Sequence, residues 1–283
     1  MAKATLLISS PDRRGITASV TQFIFKNNGN ILHADQHIDE QSDTFFMRVV
    51  WTMDGFRLKK EKISAAFRPV AARFKMQWEL SFDDEPMNVA VFASRQLHCL
   101  YDLLYRYRSG QLPCEIPLII SNHPDGEALA EDYGIKYVCL PVTKKNKAVQ
   151  EKKELQLLKE HNIELVVLAR YHQILSPAFV RRYENRIINI HHSFLPAFAG
   201  SNPYAQAHSR GVKIIGATSH YVTAELDQGP IIEQDTVRVN HRDSLDDLKR
   251  KGEDLEKAVL ARAVRWHLQR KILCYDNKTV VFE

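Results

Sequence analysis

Short blocks of apolar residues separated by polar turns dominate the first 82 positions. "ATLLIS" (4–9) is an apolar run of strand length, and the "SPDRRG" that follows it is a turn-rich connector. "ITASVTQFIFKNNG" places Ile16, Val20, Phe23 and Ile24 on one helical face, with Gly29 as its expected stop. Residues 30–39 and 44–51 read as two strands joined by a polar turn. "LKKEKISAAFRPVAARF" reads as a second helix that Pro69 should bend or interrupt. "MQWELSF" (76–82) is a last strand. The order βαββαβ predicts a ferredoxin-like domain over residues 1–83.

After the acidic linker "DDEPM" (83–87) the rhythm changes. "NVAVFAS", "IPLIISN", "YVCLPV", "LVVLARY" and "IINIHH" are Val/Ile/Leu-rich runs separated by helical segments at 97–110, 126–134 and 148–162. Apolar strands alternating with helices predict an α/β domain over 84–283, Rossmann-like, with a mostly parallel sheet covered on both faces. The tail from 243 to 271 is a long helical pattern with Leu245, Leu248, Leu255, Val259 and Val264 near one stripe; its charged residues read as a solvated face.

Composition narrows the field. The chain is 283 residues long and 45% hydrophobic, enough for two cores. The net charge of +5 is spread along the chain, which favours anionic small molecules over nucleic acid. No apolar run approaches the roughly 20 residues that span a bilayer, and the start lacks a signal-peptide pattern. Cys99, Cys114, Cys139 and Cys274 form no CxxC pair, so a zinc knuckle is not expected and a cytoplasmic location is.

The chemistry concentrates at strand ends. "SNHPD" (121–125), "ARYHQ" (169–173) and "NIHHS" (189–193) all fall where a strand finishes, the rim at which open α/β sheets bind ligands. Alternation puts Asn189 and His191 on one face and His192 on the other unless the chain has already turned. "ATSHYV" (217–222) reads as a further strand, and "AELDQGP" (224–230) as a loop carrying Asp227. An amide donor, an imidazole and a carboxylate suit attack on a carbonyl that passes through an oxyanion. A metal site from His191, His192, His220 and Asp227 is the weaker reading, because adjacent strand histidines diverge and no spaced ligand motif is present. A serine nucleophile at Ser193 or Ser219 is weaker still, since neither lies in a GxSxG elbow.

"NIHHSFLPAFAG" together with "GATSHYVTAELDQGPII" resembles the formyltransferase-fold family that uses 10-formyltetrahydrofolate. Its pattern is an Asn-x-His strand end, Leu-Pro, a Thr-x-His strand and an Asp-x-Gly loop. The resemblance implies catalytic roles for Asn189, His191 and Asp227. "VVLARYHQILSP" resembles the segment that holds the pterin ring, implicating Ala169, Arg170, Tyr171, Gln173, Ile174 and Leu175. The Asp227 side of that pocket brings in His220, Val222, Thr223, Gln228 and Gly229. The start of the chain resembles an ACT domain, the companion of the hydrolytic, formate-releasing branch of the family.

The implied activity is hydrolysis of 10-formyltetrahydrofolate to formate and tetrahydrofolate, which supplies formate for purine synthesis and balances folate pools. The folate is substrate, with no separate cofactor and no metal. Formyl transfer to an amine such as glycinamide ribonucleotide is the alternative. It is disfavoured because "FASRQLHC" has Ala93-Ser94-Arg95 where the transferases carry a Gly-Ser-Asn phosphate cradle. Asn202 stands where many relatives have a basic residue. The ACT resemblance implies a homo-oligomer and an amino-acid effector, glycine or methionine, near Asp12, Arg13, Gly15, Ile16 and Asn30; simple oligomerisation is the plainer role.

Overall fold

The computed structural model describes residues 2–196 and 203–283. It divides into two compact units. Unit 1 comprises Met1–Pro86 with Gln269–Tyr275 and Val280–Glu283; unit 2 comprises Met87–Leu268 with Asp276–Thr279.

Unit 1 contains β1 (Lys3–Pro11), α1 (Ile16–Lys26), β2 (Ile31–Asp39), β3 (Thr44–Thr52), α2 (Lys60–Phe74) and β4 (Gln77–Phe82). Its sheet runs β2-β3-β1-β4 with antiparallel pairing throughout. Alternation splits β1: Leu6 and Ile8 join the core shared with Val20, Ile24, Ile63 and Phe67. The Phe67 ring lies 5.2 Å from both Phe23 and Trp78. A fully buried side chain of this size contributes about 1.5–3 kcal/mol.

Three local expectations are modified. α2 runs through Pro69 without a break. Pro69 is exposed, while Ile63, Phe67, Ala71 and Phe74 hold the opposite face in the core. The carbonyl left without its donor can therefore reach water, and the buried stripe keeps the helix intact. At the end of α1 the left-handed position belongs to Asn28 (φ 62°), whose side chain donates to the Gly55 carbonyl at 2.8 Å. Gly29 is needed for space instead, because a Cβ there would come within 2.6 Å of Ile24 Cγ2. The C-terminal segment was expected in the second domain, yet much of it belongs to unit 1. Leu7 and Phe46, on the other face of the sheet, pack with Phe282, Leu273 and Tyr275. Arg48 donates from Nε to the Arg270 carbonyl (2.8 Å) and from Nη2 to the Gln269 carbonyl (3.2 Å). These contacts explain why β3 is buried on both faces.

Unit 2 contains β5 (Met87–Ala93), α3 (His98–Arg108), β6 (Cys114–Ser121), α4 (Glu127–Asp132), β7 (Lys136–Cys139), α5 (Lys147–Glu160) and β8 (Leu165–Ala169). It continues with α6 (Pro177–Arg182), β9 (Ile187–His191), α7 (Pro203–Arg210), β10 (Ile214–Tyr221), β11 (Ile231–Arg238) and α8 (Leu245–Leu268). The sheet order is β11-β10-β9-β8-β5-β6-β7. Strands β5 to β9 pair in parallel, whereas β10 pairs antiparallel with both β9 and β11. The mostly parallel sheet agrees with the sequence pattern. β11 escaped it, because an edge strand reading "IIEQDTVR" carries little apolar alternation. The order reverses around β5, which has β8 on one side and β6 on the other, so the carboxyl ends of β5 and β8 border a crevice.

Candidate active site

The site begins with strand register. β9 and β10 pair antiparallel with Asn189 opposite His220 and His191 opposite Thr218. Directly opposed residues project their side chains from the same face. Asn189 Nδ2 accordingly lies 3.2 Å from His220 Nε2. His220 Nδ1 lies 2.9 Å from the Tyr221 carbonyl and donates to it.

The turn leaving β9 is tied down by buried hydroxyls. Thr218 Oγ1 donates to the Ser193 carbonyl (2.9 Å) and accepts from the Leu195 N–H (3.0 Å). Gln234 Nε2 donates to the Leu195 carbonyl at 3.0 Å. The chain therefore turns immediately after His191, and strand alternation no longer governs His192. The expectation that His192 faces away is corrected: it lines the same cavity, with its ring 5.2 Å from that of His191.

Asp227 enters from the loop between β10 and β11. Its φ of 55° is left-handed, a conformation aspartate tolerates better than most residues. The loop is closed by the Tyr221 N–H donating to the Pro230 carbonyl at 2.9 Å. Gly229 packs so tightly on the Tyr221 backbone that a Cβ would overlap its carbonyl oxygen. Asp227 Oδ2 lies 3.3 Å from His191 Nδ1, and Oδ1 lies 3.7 Å from His220 Nε2. Hydrogen bonding to His191 and then to His220 outweighs burial and holds the Asp227 carboxyl well below the usual range. Asp227 is thus ionised at neutral pH. His191 Nε2 is buried and has no partner among the described residues, which makes it the ring atom available to a ligand.

These groups line a cavity of about 380 Å³ with Arg170, Tyr171, His172, Gln173, Ile174 and Leu175. The 170–175 segment is anchored from behind. Tyr171 Oη donates to Glu154 at 2.8 Å, and the Ser176 N–H donates to Glu151 at 2.9 Å. Gln96, just past β5, accepts from Arg170 Nε (2.9 Å) and Nη2 (2.7 Å). Arg170 Nε also lies 3.4 Å from Glu256, which is 1% exposed. Burial works to raise the Glu256 carboxyl, yet bonding to His98, the Arg170 charge and bonding to Tyr204 together hold it below its ordinary value.

Asn189, His191, His220, Asp227, Val222 and Thr223 all reach the cavity, as do Arg170, Tyr171, Gln173, Ile174 and Leu175. Ala169 does not; it is the buried last residue of β8. Gln228 is exposed and offers its carbonyl to Asn277 Nδ2 at 2.8 Å, and Gly229 acts through packing. Ser193 and Ser219 are buried and outside the lining. Asn202 lies outside the described residues. Sequence reasoning missed His172, Leu226 and Ala224 as lining residues, although each adjoins or closely neighbours a predicted one. It also missed Gln96, Glu154 and Glu256. Glu256 lies one residue from the Leu255 of the apolar stripe, and its i+3 and i+4 neighbours Val259 and Leu260 are buried, so part of the expected solvated face lies inside. Among the described residues, the group close enough to share a cation is His98, Cys99 and Glu256, not the rim histidines. The Arg170 guanidinium already compensates that carboxylate.

In unit 1, Asp12, Arg13, Gly15 and Asn30 leave at least part of their surface open, while the Ile16 side chain is 2% exposed. Only the backbone of Ile16 could meet a ligand.

Burial, followed by the charge of Arg170, pushes the His192 imidazole down to about 4. A lowered histidine is neutral above that value, so its ring resonances should stay flat in an NMR titration from about pH 5 to 8. An inflection near the ordinary value of about 6.5 would contradict the buried placement.

The ACT domain family model matches residues 4–66, and the formyl transferase model matches residues 87–264. A Synechocystis protein named formyltetrahydrofolate deformylase is 60% identical over 279 residues, covering 99% of this chain and 98% of that one. The crystal structure of a formyltetrahydrofolate deformylase from Pseudomonas syringae pv. tomato superposes with a TM-score of 0.98 at 48% identity, covering 100% of this chain and 95% of that one. A phosphoribosylglycinamide formyltransferase from Anaplasma phagocytophilum is more distant, with a TM-score of 0.64 at 34% identity over 70% of this chain and 96% of that one. Likeness to the deformylases spans both units, whereas the transferase leaves almost a third of the chain unmatched. The chain therefore belongs to the formyltetrahydrofolate deformylase family of enzymes.

Proposed function

We propose that the protein hydrolyses 10-formyltetrahydrofolate to formate and tetrahydrofolate. The observation that carries this reading is the convergence of Asn189, His191 and an ionised Asp227 on one cavity. Asp227 orients the attacking water and supports His191. The water oxygen bonds to the formyl carbon as the water's proton passes to the unpartnered His191 Nε2, and the carbonyl oxygen becomes an oxyanion beside the protonated ring. The Asn189 amide and the His191 ring stabilise that charge. Collapse breaks the carbon–nitrogen bond, and His191 passes a proton to the departing folate nitrogen. Preorganised donors of this kind are each worth about 10²–10³ in rate. His220, 2% exposed, acts as the brace that holds both Asn189 and Asp227.

The folate lies along the 170–175 segment, with Val222 and Thr223 on the same cavity. The absence of a glycine at Ala93-Ser94-Arg95 and the use of the following Gln96 to grip Arg170 favour water over a phosphate-bearing amine as acceptor. The ACT unit serves as the site for a small amino-acid effector, glycine or methionine, at the backbone of Asp12, Arg13 and Gly15.

Incubating the protein with 10-formyltetrahydrofolate and no amine should release formate; release only when an amine is supplied would overturn the hydrolytic reading. Asp227→Asn should keep folate affinity within about threefold and lose at least about 100-fold in turnover, measured as formate release against ligand titration. Millimolar glycine or methionine should change the rate or the sedimentation of the wild-type protein. Flat responses to both would reduce the ACT unit to an assembly role.

A further inference from the structure

Behind the cavity lies a buried polar cluster that the mechanism above does not use. Glu256 of α8 is its centre and does not itself line the cavity. Tyr204 of α7 donates from Oη to Glu256 Oε1 at 2.6 Å. His98 Nε2 lies 2.8 Å from Glu256 Oε2, and Arg170 Nε lies 3.4 Å from the same oxygen. The Tyr204 ring packs on His192 with centroids 5.9 Å apart, and His192 packs on His191 at 5.2 Å. A continuous line of contacts runs from Glu256 through Tyr204 and His192 to His191, whose far side meets Asp227.

A buried carboxylate is costly unless its charge is compensated and its lone pairs are filled. Here both conditions are met by donors from three places: the start of α3, the loop after β8 and the start of α7. The cluster also holds a strained residue. Arg170 has φ 62°, a conformation that is strained for a non-glycine residue and persists only where the surroundings over-determine it. Its guanidinium is gripped by Gln96 on one side and Glu256 on the other.

We infer that Glu256 is a positioning residue for the hydrolysis: acting through Tyr204 and His192, it holds the His191 ring in the orientation that stabilises the oxyanion. This rests on the deformylase reading. The 170–175 segment keeps its other anchors, Gln96, Glu154 and Glu151, when the Tyr204 link is cut. Loss of that link should therefore fall on turnover and spare binding, a split that a purely structural role would not produce.

The test measures formate release by wild type, Tyr204→Phe, Glu256→Gln and the double variant, with thermal melting of each. Y204F keeps the ring and its volume and removes one hydroxyl. It should melt with the wild type, lower kcat about tenfold and leave KM within about threefold. E256Q should lower kcat at least as far, and the double variant should be no slower than E256Q, because both act on one path. A folded Y204F with kcat within about twofold of wild type would overturn the inference, as would additive losses in the double variant. Should E256Q fail to fold, Y204F alone still decides through its kcat and KM. A wild type that releases no formate would defeat the hydrolytic reading itself, a separate result from equal rates in wild type and Y204F.

Discussion

The antiparallel pairing of β9 with β10 is the constraint on which the site depends. The other strands neighbouring the site run in parallel and meet it at their carboxyl ends. β10 runs the other way, so a residue within it, His220, stands across from Asn189. The same strand then leads into the loop that returns Asp227 to His191. A slip of one residue in this register would turn the inward side chains to the opposite face. The buried bonds of Thr218 and Gln234 to the turn after β9 hold the register against that slip.

Two carboxylates serve this region, and their surroundings give them different work. Asp227 meets two imidazoles at the cavity wall, retains partial exposure and stays ionised where a substrate can reach it. Glu256 is sealed behind the wall and saturated by Arg170, His98 and Tyr204. Burial drives an isolated carboxylate toward its neutral form, so each is charged only because specific donors surround it. The Arg170 charge that satisfies Glu256 also helps keep His192 neutral beside His191.

Much of both units was legible because their elements carry strong local patterns. The strands of unit 1 and β5 to β9 are apolar runs bounded by turns, and Asn189 and His191 stand at the end of one of those runs. Other features were hidden for identifiable reasons. β11 is an edge strand without apolar alternation. Pro69 looked like a helix breaker because its exposure, which removes the cost, is a property of packing. The C-terminal segment read as part of the second domain, since nothing in its composition points to Arg48 or Phe46, more than 200 positions earlier.

The sequence by itself determined the periodicities, and through them the two α/β units, the rim of strand ends and the residue types gathered there. Asn189, His191 and Asp227 are visible as chemistry because their motifs are local. Tertiary structure decided which side chains share one cavity. It turned His192 inward, made His220 a brace, buried Glu154 and drew Glu256 from a charged face read as solvated. The physical reason is that a side chain's environment depends on what packs across from it. A hydropathy pattern records which face is apolar, and it cannot record where, on that face, a distant arginine, tyrosine or histidine will arrive to compensate a buried charge.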